Sequence, residues 1–158
     1  MAIEIHTDGG CIGNPGPGAW AYVIRRYRDN ENFEEITGTG FSEGTTNNRM
    51  ELTAVIEALK KAREILHGNP VPGGGPVVLH TDSIYVKKGI TEWIHRWESN
   101  GWKTAGKKPV KNKDLWQELK YLDDALTVSW QWVRGHAGNP LNEACDRAVQ
   151  ETIKRSLL

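Results

Sequence analysis

Two short apolar runs, Ile3-Glu4-Ile5 and Val77-Val78-Leu79, each lead into the same tripeptide, His6-Thr7-Asp8 and His80-Thr81-Asp82. A few strand-forming residues followed by an acid at a turn describe a buried strand that delivers a carboxylate where the backbone leaves the sheet. Open α/β sheets commonly build their sites in that space, outside the strand ends. The repetition therefore points to one sheet in which two strands carry an acid each to a shared region.

The chain has 158 residues, 38% of them hydrophobic, which is enough to bury a core and is the size of one domain spanning residues 1–158. The start Met1-Ala2-Ile3-Glu4 lacks a basic segment followed by an apolar one, and no run approaches the roughly 18 apolar residues of a membrane span. A cytoplasmic protein without a membrane partner is expected. Cys11 and Cys145 stand far apart without metal-ligand spacing, so they are expected to be reduced thiols. The formal net charge is zero, yet Ser83 to Lys113 holds eight basic residues against two acidic ones. The rest of the chain is correspondingly acidic. A basic segment beside an acidic site suits a protein that handles both a polyanion and metal ions.

Alternation of Ile3, Ile5 and Thr7 with Glu4, His6 and Asp8 predicts a first strand ending near Asp8, where the Gly/Pro cluster from Gly9 to Gly18 begins. Stretches 18–28 and 33–42 read as two further strands of an antiparallel meander. From Asn48 the period becomes helical, with Leu52, Val55, Ile56 and Leu59 on one stripe and Glu51 beside it. His67 to Pro76 is a Gly/Pro-rich loop leading into the fourth strand, which ends at Asp82. Residues 83–98 read as short helices, Lys103 to Lys113 as an exposed basic loop, and Asp114 to Leu122 as a helix with Leu115, Leu119 and Leu122 inward. Val128 to Val133 supplies the fifth strand. Asn139 then caps a last helix with Pro140 in its first position, and the stripe Leu141, Ala144, Cys145, Ala148, Val149, Thr152, Ile153 places Asp146 on its border. The fold class predicted is α/β, a mixed five-stranded sheet of three antiparallel strands continuing into two parallel ones, with helices on both faces.

Asp8, Glu51, Asp82 and Asp146 carry the chemistry. Two come from strand ends and two from the borders of helix stripes, so all four converge if the first and fourth strands lie side by side. Hard divalent cations such as Mg²⁺ take oxygen ligands. Left unneutralised, the same carboxylates repel one another and cost stability. Two ions roughly 3.5–4 Å apart can activate a water and stabilise the leaving oxygen of a phosphodiester. Taken singly, each acid also reads as a cap or a solvated surface residue; as a set they read as a metal site.

The stretches Thr7-Asp8-Gly9-Gly10-Cys11, Asn14-Pro15-Gly16-Pro17-Gly18, Thr45-Thr46-Asn47-Asn48-Arg49-Met50-Glu51-Leu52, Thr81-Asp82-Ser83, Gly101-Trp102-Lys103-Thr104, Lys107-Lys108-Pro109-Val110-Lys111-Asn112 and Trp132-Val133-Arg134-Gly135-His136-Ala137-Gly138 span nearly the whole chain. In that order the chain resembles a type 1 ribonuclease H of the bacterial kind. The resemblance implies an endonuclease that cuts the RNA strand of RNA/DNA hybrids, leaving 3′-hydroxyl and 5′-phosphate ends. It implies Asp8, Glu51, Asp82 and Asp146 as ligands of two Mg²⁺ ions, with Mn²⁺ as substitute. By that resemblance Asp8 bridges the ions, Asp146 shares the nucleophile-side metal, and Glu51 and Asp82 hold the leaving-group-side metal. His136, on a glycine-flanked loop, assists proton transfer or product release. An imidazole there is free to move and titrates near neutral pH.

By the same resemblance Gly9, Cys11, Asn14, Asn47 and Asn48 line the minor groove of the hybrid, Thr46 lies near a DNA phosphate, and Lys103, Lys107 and Lys108, with Lys111 and Lys113, form a basic protrusion. Read as residues alone, Asn14 is a turn residue before proline, and Asn47 and Asn48 are helix-cap candidates. Trp93, Trp97 and Trp102 form either a hydrophobic cluster with an exposed edge or a platform for the sugar-phosphate backbone. Ile84 stands where many relatives carry glutamine, and Glu98-Ser99-Asn100 where bacterial relatives are often basic, which predicts weaker or more salt-sensitive binding. The loop Gly68 to Pro76 looks like an insertion. A monomer is expected. The alternatives to a hybrid nuclease are another nuclease of the same superfamily and a hybrid-binding module without cleavage, although four acids in a groove only hinder binding of a polyanion.

Overall fold

A computed structural model describes residues 3–68, 77–134 and 138–158 of the chain. Its five strands are β1 (Ile3–Cys11), β2 (Gly16–Tyr27), β3 (Phe33–Thr45), β4 (Val77–Thr81) and β5 (Ser129–Trp132), in the order β3-β2-β1-β4-β5. β1 and β3 run antiparallel to β2, whereas β1, β4 and β5 are mutually parallel. The helices are α1 (Asn47–Gly68), α2 (Ile84–Lys88), α3 (Ile94–Asn100), α4 (Lys113–Leu126) and α5 (Pro140–Ser156), with a π-helical turn, Gly89–Trp93, joining α2 to α3. Among the described residues no helix is long and apolar enough to cross a membrane.

Helices cover both faces, as the residue pattern predicts. On one face Ile3, Ile5, Ile24 and Leu79 meet Leu52, Val55, Ile56 and Leu59 of α1, with Ile94, Trp116 and Leu119 completing the core. On the other, Ala19, Ala21 and Val23 pack against Cys145, Val149 and Ile153 of α5. The small side chains on β2 bring α5 close to the sheet. Asn139 caps α5, its Oδ1 accepting from the N–H groups of Leu141 (3.1 Å) and Asn142 (3.0 Å), with Pro140 at the first position.

Several boundaries differ from expectation. β1 does not end near Asp8 but continues to Cys11, because β2 keeps pairing with it as far as Cys11↔Gly18. Pairing with β4 stops at His6↔His80, so Asp8 lies just past the last β4 rung, within a strand that still has one neighbour. β3 extends to Thr45, β5 is limited to Ser129–Trp132, and α4 occupies Lys113–Leu126. In α4 Trp116 is fully buried together with Leu119, while Leu115 is only half-buried. That indole lies against Gly89, where an added β-carbon would fall 1.9 Å from Trp116 Cη2. The segment Lys103 to Lys113 is held by the bridge Lys103↔Pro109 and turn bonds such as Thr104 N–H to the Lys108 carbonyl (2.7 Å), and Val110 is buried. The Gly/Pro-rich loop falls outside the described residues from Asn69 to Pro76.

Candidate active site

Four elements bring the predicted acids to one cavity of about 340 Å³, whose lining includes Asp8, Glu51, Asp82 and Asp146. Asp8 comes from β1, Glu51 from the second turn of α1, Asp82 from the residue after β4, and Asp146 from the middle of α5. Carboxylate oxygens of Asp8, Glu51 and Asp82 all lie within 4.8 Å of one another. Asp146 lines the same cavity from the α5 side and adds its negative charge to that around Asp8.

Gly9 makes this approach possible. A β-carbon there would sit 2.3 Å from the Met50 carbonyl carbon and 2.5 Å from the Glu51 nitrogen, so only glycine lets the start of α1 rest on β1. The contact is fixed by the Gly9 N–H donating to Glu51 Oε1 at 3.0 Å. Thr46 is the α1 cap, its Oγ1 accepting from the Arg49 N–H at 3.2 Å. This corrects the cap assignment to Asn47 or Asn48. Asn47 Oδ1 instead accepts from the Cys11 N–H (2.8 Å), and Asn14 Oδ1 from the Asn47 N–H (3.1 Å) and the Cys11 thiol (3.6 Å). Cys11, Asn14 and Asn47 thus tie the end of β1, the following turn and the start of α1 into one rim, with Asn48 exposed beside it.

The electrostatics are those of a site that lacks positive charge. Burial, then the charge of Asp82 and that of Asp146, push the Asp8 carboxyl up to about 7 against the opposing hydrogen bonds of Glu51 and Gly9. Burial, then Asp8 and Asp82, raise Glu51 well above the ordinary carboxylate range. Glu51 Oε2 is buried without a hydrogen-bond partner among the described residues. An acceptor oxygen left bare inside a cluster of carboxylates fits a hard divalent cation, which supplies the missing charge and takes oxygen ligands. Cys145, buried under β1 with its thiol directed at the His6 carbonyl (3.4 Å), is pushed up to about 12 by burial and the nearby Asp8. It is an inert core thiol.

Trp93, Trp97 and Trp102 are half-buried and belong to one aromatic cluster with Tyr85 and Trp116. Ring centroids lie 5.9 Å apart for Trp93 and Trp97, 5.9 Å for Trp97 and Trp102, and 5.6 Å for Trp97 and Trp116. Lys103, Lys107 and Lys108 are exposed, away from the cavity lining. His136 lies outside the described residues. The structure adds Ser83, Asn142, Glu143 and Gln150 to the cavity wall. The α5 members were legible as a polar edge, since Asn142, Asp146 and Gln150 recur every fourth residue. Arg49 joins α1 to the entry of α4 through Asn112 Oδ1 (3.1 Å) and Asp114 Oδ2 (3.1 Å), with no signal in the sequence.

The RNase H family model matches residues 1–154. A ribonuclease H of the spirochaete Treponema pallidum subsp. pallidum is 49% identical over 163 aligned positions, covering 98% of this chain and 92% of the relative. One of Escherichia coli O127:H6 is 50% identical over 148 positions, covering 94% and 86%. Among solved structures, LC9-RNase H1, described as a type 1 RNase H with the type 2 active-site motif, superposes with a TM-score of 0.79 at 32% identity, covering 97% of this chain and 72% of that one. LC11-RNase H1, crystallised with an RNA/DNA hybrid, shares the fold with a TM-score of 0.69 at 24% identity, covering 99% of each chain. The chain therefore belongs to the ribonuclease H family, as a type 1 member.

Proposed function

We infer that this chain is an endonuclease that hydrolyses the RNA strand of RNA/DNA hybrids, with Asp8, Glu51, Asp82 and Asp146 holding divalent cations, two Mg²⁺ ions or Mn²⁺ in their place. The observation that carries the reading is the convergence of the Asp8, Glu51 and Asp82 carboxylates within 4.8 Å in a chain of this family. When bound, the ions supply Lewis-acid activation of water and neutralise charge at the phosphate. The four acids orient that chemistry from four different elements, which leaves little freedom for the site to collapse. The Gly9 N–H holds one Glu51 oxygen, and the other, buried without a hydrogen-bond partner among the described residues, supports a role as ligand. Water adds to phosphorus as the P–O3′ bond breaks, leaving 3′-hydroxyl and 5′-phosphate ends.

The rim formed by Gly9, Cys11, Asn14, Thr46, Asn47 and Asn48 borders the cavity and offers short amide and backbone groups suited to the minor groove of a hybrid, where the 2′-hydroxyl distinguishes RNA. The aromatic cluster of Trp93, Trp97 and Trp102 supports the neighbouring basic segment, whose Lys103, Lys107 and Lys108 neutralise phosphates of the other strand. His136 enters by family resemblance as a proton carrier or aid to product release. The protein acts as a monomer in this reading.

The test is cleavage of end-labelled RNA paired with DNA, beside RNA/RNA and DNA/DNA duplexes, in Mg²⁺ or EDTA, with Asp8→Asn as control. Metal-dependent cutting of only the hybrid's RNA, lost in the variant, is expected. Tight hybrid binding without cutting in Mg²⁺ or Mn²⁺ would overturn the reading in favour of a binding module.

A further inference from the structure

A second group of metal-ligating side chains lies beneath the catalytic carboxylates. His6 and His80 occupy facing positions in the last β1/β4 rung, and Glu4 precedes His6 by two residues on the same face of β1. The two imidazoles are stacked, with centroids 4.3 Å apart and planes inclined by 6°. His6 Nε2 and Glu4 Oε1 are 3.1 Å apart, and one ligand atom from each of Glu4, His6 and His80 lies within 4.8 Å of the others. We propose that Glu4, His6 and His80 form a binding site for a borderline transition-metal dication of the Zn²⁺ class, separate from the catalytic ions.

The donor set selects that class, because two imidazoles and one carboxylate suit zinc and its neighbours, whereas Mg²⁺ takes oxygen. Tetrahedral zinc with bonds of about 2.0–2.2 Å sets its ligand atoms about 3.4 Å apart. The His6–Glu4 pair already has nearly that spacing, and a side-chain rotation of the half-buried His80 closes the rest. A second observation comes from His6 itself, which is 3% exposed and has one ring nitrogen, Nδ1, buried without a hydrogen-bond partner among the described residues. Such an orphan is costly. Coordination at Nε2, the nitrogen that faces Glu4, fixes the neutral ring as its Nδ1–H tautomer. Arg25, opposite Glu4 across the β1/β2 pair, bonds Glu35 at 2.9 Å, and that carboxylate offsets its charge beside His6. His6 is two residues from Asp8 on the same face, about 7 Å along the strand, so the site is distinct from the carboxylate cavity.

The experiment measures Zn²⁺ binding by calorimetry to the Asp8→Asn/Asp82→Asn protein, in which the catalytic cluster is disabled, and to the same protein carrying His80→Ala or Glu4→Gln. One Zn²⁺ per chain is expected, with affinity falling at least tenfold on either added change, together with a zinc-induced rise in Tm that both changes abolish. X-ray absorption at the zinc edge should show two imidazoles in the coordination shell. An oxygen-only shell, no Zn²⁺ uptake by the Asp8→Asn/Asp82→Asn protein, or unchanged affinity in the added variants would overturn the proposal. Glu4→Gln, on a partly exposed side chain, keeps the test decisive if His80→Ala fails to fold.

Discussion

The Gly9 N–H donates to Glu51 Oε1 at 3.0 Å, and this bond joins the central strand to the first helix at the wall of the carboxylate cavity. The contact exists because Gly9 has no side chain, the nearest backbone atoms of α1 being 2.3 to 2.5 Å from where a β-carbon would stand.

Gly9→Ala is therefore expected to push α1 from β1. The obstacle is backbone, which cannot rotate away, so the loss of stability should reach or exceed the about 1–3 kcal/mol usual for overpacking. Cleavage should fall further than stability, because Glu51 moves with the helix. Chemical denaturation and a hybrid cleavage assay on the same preparation check both. A variant of unchanged stability would show that α1 is not seated as described.

The metal-free protein should lose stability as pH rises through the range set by Asp8. The carboxyl titrates near 3.8 in the unfolded chain and at about 7 in the folded one. Below both values the group is protonated in either state and contributes nothing. Between them the native state binds the extra proton, so stability declines as pH rises. Above about 7 the full penalty is present, on the order of a few kcal/mol. In EDTA, Tm should fall from pH 5 to pH 8, and Asp8→Asn should raise Tm at pH 8 while abolishing cleavage. A lower Tm for that variant in EDTA would mean that Asp8 is chiefly structural.

One thiol should react rapidly in the native protein at pH 8 and two after denaturation. Cys145 is fully buried and its thiol is pushed up to about 12, whereas Cys11 is partly exposed. Titration with a chromogenic disulfide reagent checks the count. Rapid reaction of both would place Cys145 nearer solvent than its packing against β1 allows.

Replacing Lys103, Lys107 and Lys108 together by alanine should weaken hybrid binding and flatten its salt dependence. Each phosphate contact contributes a slope of about 0.9 in log K against log salt, so losing three lowers the slope by between about 2 and 3. The turnover rate at saturating hybrid should stay the same, since the three lysines lie outside the cavity lining. Binding measured across a salt series checks the slope, and an unchanged slope would remove these side chains from the interface.

Much of this molecule was legible locally. Leu52, Val55, Ile56 and Leu59 all lie buried on the α1 stripe, and Asn139 with Pro140 starts α5 as their chemistry requires. The four acids stood out because each borders a periodic apolar run. Periodicity, capping and turn chemistry act over a few residues, so they can be read without knowing what packs where.

Partnership over distance was not legible. Nothing in the sequence says that β2 holds β1 as far as Cys11 after β4 has stopped at His6, yet that offset opens the space beside Asp8. Nor does it show that Asn47 bonds Cys11 instead of capping its own helix, that Trp116 fills the space over Gly89, or that His6 and His80 stack. Which segments become strands and helices, and which residues bring charge to their ends, follows from short-range sterics and hydrophobic period, and the chain carries both on its face. Strand register and the pairing of groups far apart in sequence, such as the Cys11 N–H with Asn47, arise only on folding, where close packing selects one arrangement among many that local preference allows equally.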